Sequence, residues 1–399
     1  MTESIAVGDE VRPELGAAEA TRVQELARFG KALDALKARV EAQVGEEDLA
    51  RVKKLQRLSR TMEVVGRTLI HFSPEPLTFT AGVLALWLHK QLQATEVGHT
   101  VLHGAYDRIP GAERFRSKGY WWHVPIDEES WRYGHNVRHH GATNVAGHDA
   151  DIHFGPVRLT EQTPYDGRGH RAQWWFALFV LFPNFGFLMN LHFTGLNDVF
   201  SDNGLPGKGN LDFLPDRSKA SVRDAWKKAL RKYGPYYALE YVLFPALAGP
   251  FFWKVLLGNW LSEVMRDVYS AATIFCGHVG EGTKSFPAGT RPRNRGEWYA
   301  MQVEASNDFV VPYPVSVLCG GLDLQIEHHL FPRLAPERLR QIAPEVRALC
   351  EAHGVEHRSA TWPQTLKSAL SWIDALSRKR PADERSASVI ARDVIASMA

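Results

Sequence analysis

Cysteine is scarce in this chain. Three residues in 399, Cys276, Cys319 and Cys350, stand far apart and form no C-x-x-C pair. That excludes a disulfide framework or a zinc ribbon and fits a reducing compartment. Charge of one sign is also missing: 47 Lys and Arg face 45 Asp and Glu, so no basic excess points to nucleic acid. The sequence has no G-x-G-x-x-G fingerprint, no C-x-x-C-H haem attachment, no H-P-G-G and no cluster-forming cysteine set. Its polar, acidic N-terminus has no apolar core, so no cleaved signal peptide is expected. Long apolar runs are few, and only Ala172–Phe193 and Tyr236–Leu257 approach the roughly 20 residues of a membrane span.

Histidine is what the chain has instead. Eight of its 17 fall in three tight clusters and one outlier. They read His99-Thr-Val-Leu-His103, His135-Asn-Val-Arg-His139-His140, a lone His278, and Gln325-Ile-Glu-His328-His329. Residues four apart share a helix face, so His99/His103 and His135/His139 each read as a two-imidazole clamp. Adjacent histidines point about 100° apart on a helix, so one of each pair can serve one metal and its neighbour a second. Eight neutral imidazoles without convergent thiols suit a nitrogen-rich iron site, where geometry has to exclude zinc.

With these boxes the chain resembles the membrane-bound fatty acid desaturases. Their pattern is H-x(3–4)-H, then H-x(2–3)-HH, then [HQ]-x2-HH, with an extra histidine before the third box. The matches are HTVLH, HNVRHH, QIEHH followed by LFP, and His278 in CGHVGEG, within a resemblance running from about Leu58 to about Glu356. The resemblance implies an all-α, helical integral membrane protein whose cytosolic domain holds a di-iron centre. It implies eight ligands: His99, His103, His135, His139, His140, His278, His328 and His329. Gln325 stands where many relatives have a ninth histidine. An amide is a poor ligand for such a site, so Gln325 is assigned a hydrogen bond behind the ligands. Asp149, Asp151 and His153, in the GHDADIH stretch after box two, are expected to fix ligand tautomers by hydrogen bonding.

Three segments follow from this reading: an N-terminal amphipathic helical segment (1–60), a desaturase domain (61–356), and a C-terminal helix with a flexible tail (357–399). In the first, Val23, Leu26, Phe29, Leu33, Leu36, Val40 and Val44 recur at helical spacing from Thr21 to about Ser59, with Thr21-x-x-Gln24 as a capping box. The stripe packs either on its own protein or on a membrane surface. Arg51, Lys53, Lys54, Arg57, Arg60 and Arg67 precede the apolar run Leu77–Leu92, which marks the cytoplasmic side, in a bacterial inner membrane, for the boxes. Because all boxes must meet, even numbers of crossings separate them. The simplest arrangement breaks Ala172–Phe193 near Pro183-Asn184 and folds Tyr236–Cys276 into a hairpin around Pro245 and Pro250. A plain crossing, with Asp198–Arg231 outside, is the alternative. His89, His192 and Glu240, within or beside apolar runs, are left out of the metal site.

Unactivated methylenes are beyond any side-chain base, so the chemistry needs an oxidant: dioxygen activated by two irons and two external electrons. The resemblance implies an acyl desaturase forming a cis double bond in a fatty acyl chain carried on coenzyme A or in a lipid. A lipid or hydrocarbon hydroxylase or ketolase is the alternative, and a non-enzymatic membrane metal-binding protein a more remote one. With no redox module in the sequence, electrons from NAD(P)H must arrive through a separate protein: a ferredoxin, a flavoprotein reductase or cytochrome b5. The expected partners are thus the acyl substrate, this donor and membrane lipid. Lys284, Arg291, Arg293 and Arg295 form a basic cluster in a Pro/Gly-containing loop. It is solvated, touches anionic lipid, or grips a coenzyme A phosphate or an acidic donor.

Overall fold

The computed structural model describes residues 16–379 apart from 168, 202 and 206–210, and the expected tail lies beyond them from residue 380. The chain is mostly helical, with two short strand pairs, His153–Phe154 with Val157–Arg158 and Asp308–Val310 with Ser359–Thr361. Two helices, Ala17–Glu41 and Glu46–Phe72, replace the single one expected over Thr21–Ser59. The break falls at Gly45, whose N–H donates to Asp48 Oδ2 (3.0 Å) and restarts the helix. Thr21 is not a cap: its hydroxyl donates back to Ala17 O, one turn inside a helix that begins earlier.

The apolar stripe of the first helix faces its own protein. Leu26, Phe29, Leu33, Leu36 and Val40 pack on Tyr299, Ile326, Leu330, Phe331 and Ile342, so this helix backs the segment carrying box three. Each such side chain contributes about 1.5–3 kcal/mol when fully buried. The contact is close because Gly296 has no side chain, and a Cβ there would lie 1.6 Å from Leu26 O.

Glu46–Phe72 turns into Pro76–Leu92, where Glu75 caps the helix start by accepting from Leu77 N and Thr78 N. A kinked segment, His170–Phe193, narrows to a 3-10 turn at Phe182–Asn184, where Pro183 interrupts the ladder. Lys219–Ala238 continues to Leu247, turns over Ala248–Phe251 with Gly249 at φ 54°, and returns as Phe252–His278. The hairpin expected around Pro245 and Pro250 is therefore present. Glu240 joins its neighbours by ion pairs to Arg67 (2.6 Å) and Lys90 (3.1 Å).

Among the described residues, one helix, His170–Phe193, is long and apolar enough to cross a membrane by length and composition. The others fall short for local reasons. Pro76–Leu92 carries His89, Lys90 and Gln91 in its last turn and runs on into the polar Gln93–His99, and Phe252–His278 carries Lys254, Glu263, Arg266 and Asp267.

Candidate metal centre

Box one lies on an unbroken run. Pro76–Leu92 passes through a π-helical segment, Gln93–His99, into Thr100–Leu102, and His99 Nε2 and His103 Nε2 meet at 3.1 Å. Box two is built differently. Asp127 caps Glu128–Trp131 by accepting from Ser130 N, and the chain then winds as a π-helix over Arg132–His139. Hydrogen bonds there run between residues five apart, and His140 N donates to His135 O at 3.0 Å. His140 Nε2, not that of His139, consequently meets His135 Nε2, at 3.2 Å. The close Nε2 pair of box two is thus His135/His140, while His139 faces His278 and His329 and still groups with His135 and Asp151.

The eight imidazoles converge. His99, His103, His135 and His328 bring one nitrogen each within 4.8 Å of one another, and His139, His278 and His329 form a second such group. His140 lies between them, its ring centroid 4.8 Å from His328 and 4.4 Å from His329. His278 Nε2 is 3.3 Å from His329 Nε2. Adjacent His328 and His329 thus point into different groups, as their 100° offset requires.

Burial pushes His99, His103, His140, His328 and His329 well below the usual histidine range, and neighbouring imidazoles add to it. These rings are neutral and offer lone pairs. His139 is shifted the other way: burial opposes the charge, but the Asp149 carboxylate raises it. Among the described residues, His140 Nδ1, His278 Nδ1, His328 Nε2 and Gln325 Oε1 are buried without a hydrogen-bond partner. Buried polar atoms are normally satisfied. Lone pairs crowded at 3.1–3.3 Å, some with no donor, fit a site that binds metal.

A polar layer stands behind the rings. Asp149 lies 3.0 Å from His139 Nδ1 and accepts from Asn144 N and Asp151 N, both at 2.8 Å. Asp151 lies 3.1 Å from His192 Nε2 and 3.8 Å from His135 Nδ1. Burial works against its charge, but the neighbouring His135 and His192 imidazoles hold this carboxyl well below its ordinary range. His329 Nδ1 faces Thr143 Oγ1 (3.0 Å) and Gln302 Oε1 (3.1 Å). Sequence reasoning missed His192, Thr143 and Gln302. His192 carried a signal, an imidazole in an otherwise apolar run, whereas Gln302 carried none.

The other expected residues lie as follows. His153 pairs with Asp212 (2.8 Å), which also faces Arg138 of box two (3.4 Å), so it braces the box rather than touching the ring layer. Gln325 Nε2 sits 2.8 Å from His278 Nε2, closer to the convergence point than a position behind the ligands. In the basic loop, Lys284 pairs with Glu304, Arg293 with Glu19 and Glu297, and Arg295 with Asp34, while Arg291 is exposed. Two of those acids belong to the first helix, so the loop is stapled to it.

A mostly apolar cavity opens from the histidines. His99, His135, His139 and His278 line one part, Trp131, Phe154, Phe275 and Met189 continue it, and Gly186, Arg266 and Asp267 stand at another part. Arg266, Ser270, Ile274 and His278 recur every fourth residue on one face of Phe252–His278, so the lining extends for ~18 Å along that helix.

A helical scaffold holding eight converging imidazoles against a long apolar slot defines a metal-dependent enzyme for chain-like apolar substrates. The chain belongs to the fatty acid desaturase family, whose profile matches residues 74–361. It is 30% identical over 335 residues to the NADPH-dependent stearoyl-CoA 9-desaturase of Mycobacterium tuberculosis, covering 83% of this chain and 75% of that relative. The sn-1 linoleoyl-lipid 6-desaturase of Synechocystis is 26% identical over 288 residues, 71% of this chain and 76% of that relative. The protein is an oxidoreductase that desaturates fatty acyl chains.

Proposed function

We propose that the eight histidines hold two irons and that the protein is a membrane-embedded, dioxygen-dependent desaturase forming a cis double bond in an acyl chain on coenzyme A or in a lipid. The observation that carries this reading is the two imidazole groups, joined by His140, at one part of an apolar slot. A nitrogen-only donor set of this size suits iron in preference to harder, oxygen-seeking metals. When bound, the irons supply the oxidising power, drawn from dioxygen, that removes hydrogen from an unactivated methylene pair.

The chain's own residues supply the setting. Asp149 and Asp151 orient His139 and His135, Thr143 and Gln302 orient His329, and Gln325 stands against His278. Trp131, Phe154 and Phe275 exclude water and align the acyl chain, so that one carbon pair lies beside the histidines. On this reading residues 61–356 carry the catalytic body, with 1–60 and 357–399 as flanking segments.

Membrane embedding draws support from an exposed apolar surface. Phe72, Leu77, Trp175, Phe179, Val242, Leu247, Phe251 and Trp253 are all solvent-facing here, and so many exposed large apolar side chains suit a lipid or partner contact. Aromatic residues suit the interfacial zone, and the basic stretch Arg51–Arg67 before the first apolar run orients the boxes to the cytoplasm. Reducing power comes from NAD(P)H, in keeping with the name of the mycobacterial relative, and reaches the site through a separate protein.

Expression in a host lacking unsaturated fatty acids tests the proposal. New lipids with a double bond at one position are expected. An alcohol, or no change, would contradict it.

A further inference from the structure

We propose that an acidic ferredoxin-type one-electron carrier docks in the basic surface groove formed by Lys37, Arg108, Arg295, Trp298 and Arg333. The inference rests on the desaturase reading, because that reaction needs outside electrons. The carbon pair loses two hydrogens, that is two electrons and two protons. Reducing dioxygen to two waters takes four of each. The remaining two electrons and two protons must be delivered, the electrons by a reduced carrier protein and the protons from water.

The groove has a volume of about 500 Å³. Four of its side chains are cationic and one, Glu41, is acidic. Arg295 is matched by Asp34 (2.7 Å) and Lys37 lies 3.8 Å from Glu41. Arg108 and Arg333 are exposed and, among the described residues, have no ion pair. Their charges are therefore available to a partner.

Position adds to charge. Arg108 stands five residues after His103 and Arg333 four after His329, so the groove gathers the segments leaving boxes one and three. Box two reaches it through half-buried Trp298, whose Nε1–H donates to Gly141 O at 3.1 Å, directly after His140. All three boxes thus connect to one basic patch by a few covalent or hydrogen-bonded steps. None of these groove residues lines the acyl cavity, which leaves the substrate slot and the electron entrance as separate surfaces. Transient electron-transfer complexes are small and charge-steered, which a groove with two unmatched arginines suits.

The test is the binding of a plant-type [2Fe–2S] ferredoxin to the full-length protein in detergent, across a salt series. Wild type should bind it, with affinity falling as salt rises. Arg108→Glu/Arg333→Glu should slow association by about tenfold or more at low salt and flatten the salt dependence, while KM for acyl-CoA stays unchanged. Binding needs no iron, so its outcome is independent of whether the metal assignment holds. Arg108→Gln/Arg333→Gln, which removes charge without reversing it, should give an intermediate loss. Wild-type binding that resists salt, equal binding by all variants, or no binding at all would overturn the proposal. So would a raised KM for acyl-CoA with ferredoxin binding intact, since the groove would then read the substrate's phosphates.

Discussion

Asp149 faces His139 Nδ1 at 3.0 Å while both its oxygens also receive backbone N–H groups, from Asn144 and Asp151. The carboxylate thus sets the orientation of an imidazole and the turn that follows box two in one stroke. Asp149→Ala would orphan two buried amides at a cost of about 1–3 kcal/mol each. Asp149→Asn is the sharper variant, since its amide oxygen still accepts. It should lower metal affinity by about 10–100-fold, the usual effect of losing such a partner. Metal titration of the purified variant measures it, and wild-type affinity would remove Asp149 from the role.

His278 comes from the end of the long helix Phe252–His278, far in sequence from every box, yet its Nε2 lies 3.3 Å from that of His329. His278→Ala should abolish desaturation while the protein still accumulates in membranes. Full activity would show that the second group of imidazoles does not need it.

Box one was legible because His99 and His103 sit four apart on a helical run, as the clamp rule assumes. Box two was not, because a π-helix over Arg132–His139 moves the shared face to residues five apart, and periodicity at 3.6 cannot see it. His192 stood out in its apolar run, but its role was hidden for another reason. Its partner Asp151 is 41 residues away, and only the packing of the kinked helix brings them to 3.1 Å. The partners of the basic loop were equally hidden. Its charges cluster in sequence, but Glu19 and Asp34 of the first helix neutralise Arg293 and Arg295.

Gly186 stands where the cavity meets Arg266 and Asp267. A Cβ there would come within 3.0 Å of Arg266 Nη2 and 3.2 Å of both Asp267 Oδ1 and Pro125 Cγ. Gly186→Leu should crowd this part of the slot and shift preference toward shorter acyl chains, with metal content unchanged. Competition between acyl substrates of different length reads it out, and an unchanged preference would put the chain elsewhere.

His357 closes box three from outside, its Nε2 3.2 Å from Asp308 Oδ2 and 3.5 Å from Glu327 Oε1. Burial opposes its charge, but the carboxyl groups of Asp308 and Glu327 beside it raise it to about 9. Burial, with Asp308 beside it, raises Glu327 to about 8. Both groups therefore hold protons in the folded state that the unfolded chain has released, and stability falls as pH rises. For His357 the contribution is whole below about 6.5 and is lost as pH climbs through about 9. Melting temperature should drop from pH 6.5 to 9.5, and His357→Leu should flatten that slope. An equally steep fall in the variant would assign the pH dependence to other groups.

The number of irons that the eight histidines hold decides between a paired-metal oxidant and a simpler site. Elemental analysis of active, purified protein measures this directly. Two irons per chain are predicted, falling in His328→Ala and His329→Ala alike. One iron per chain, or zinc retained in its place in active enzyme, would contradict it.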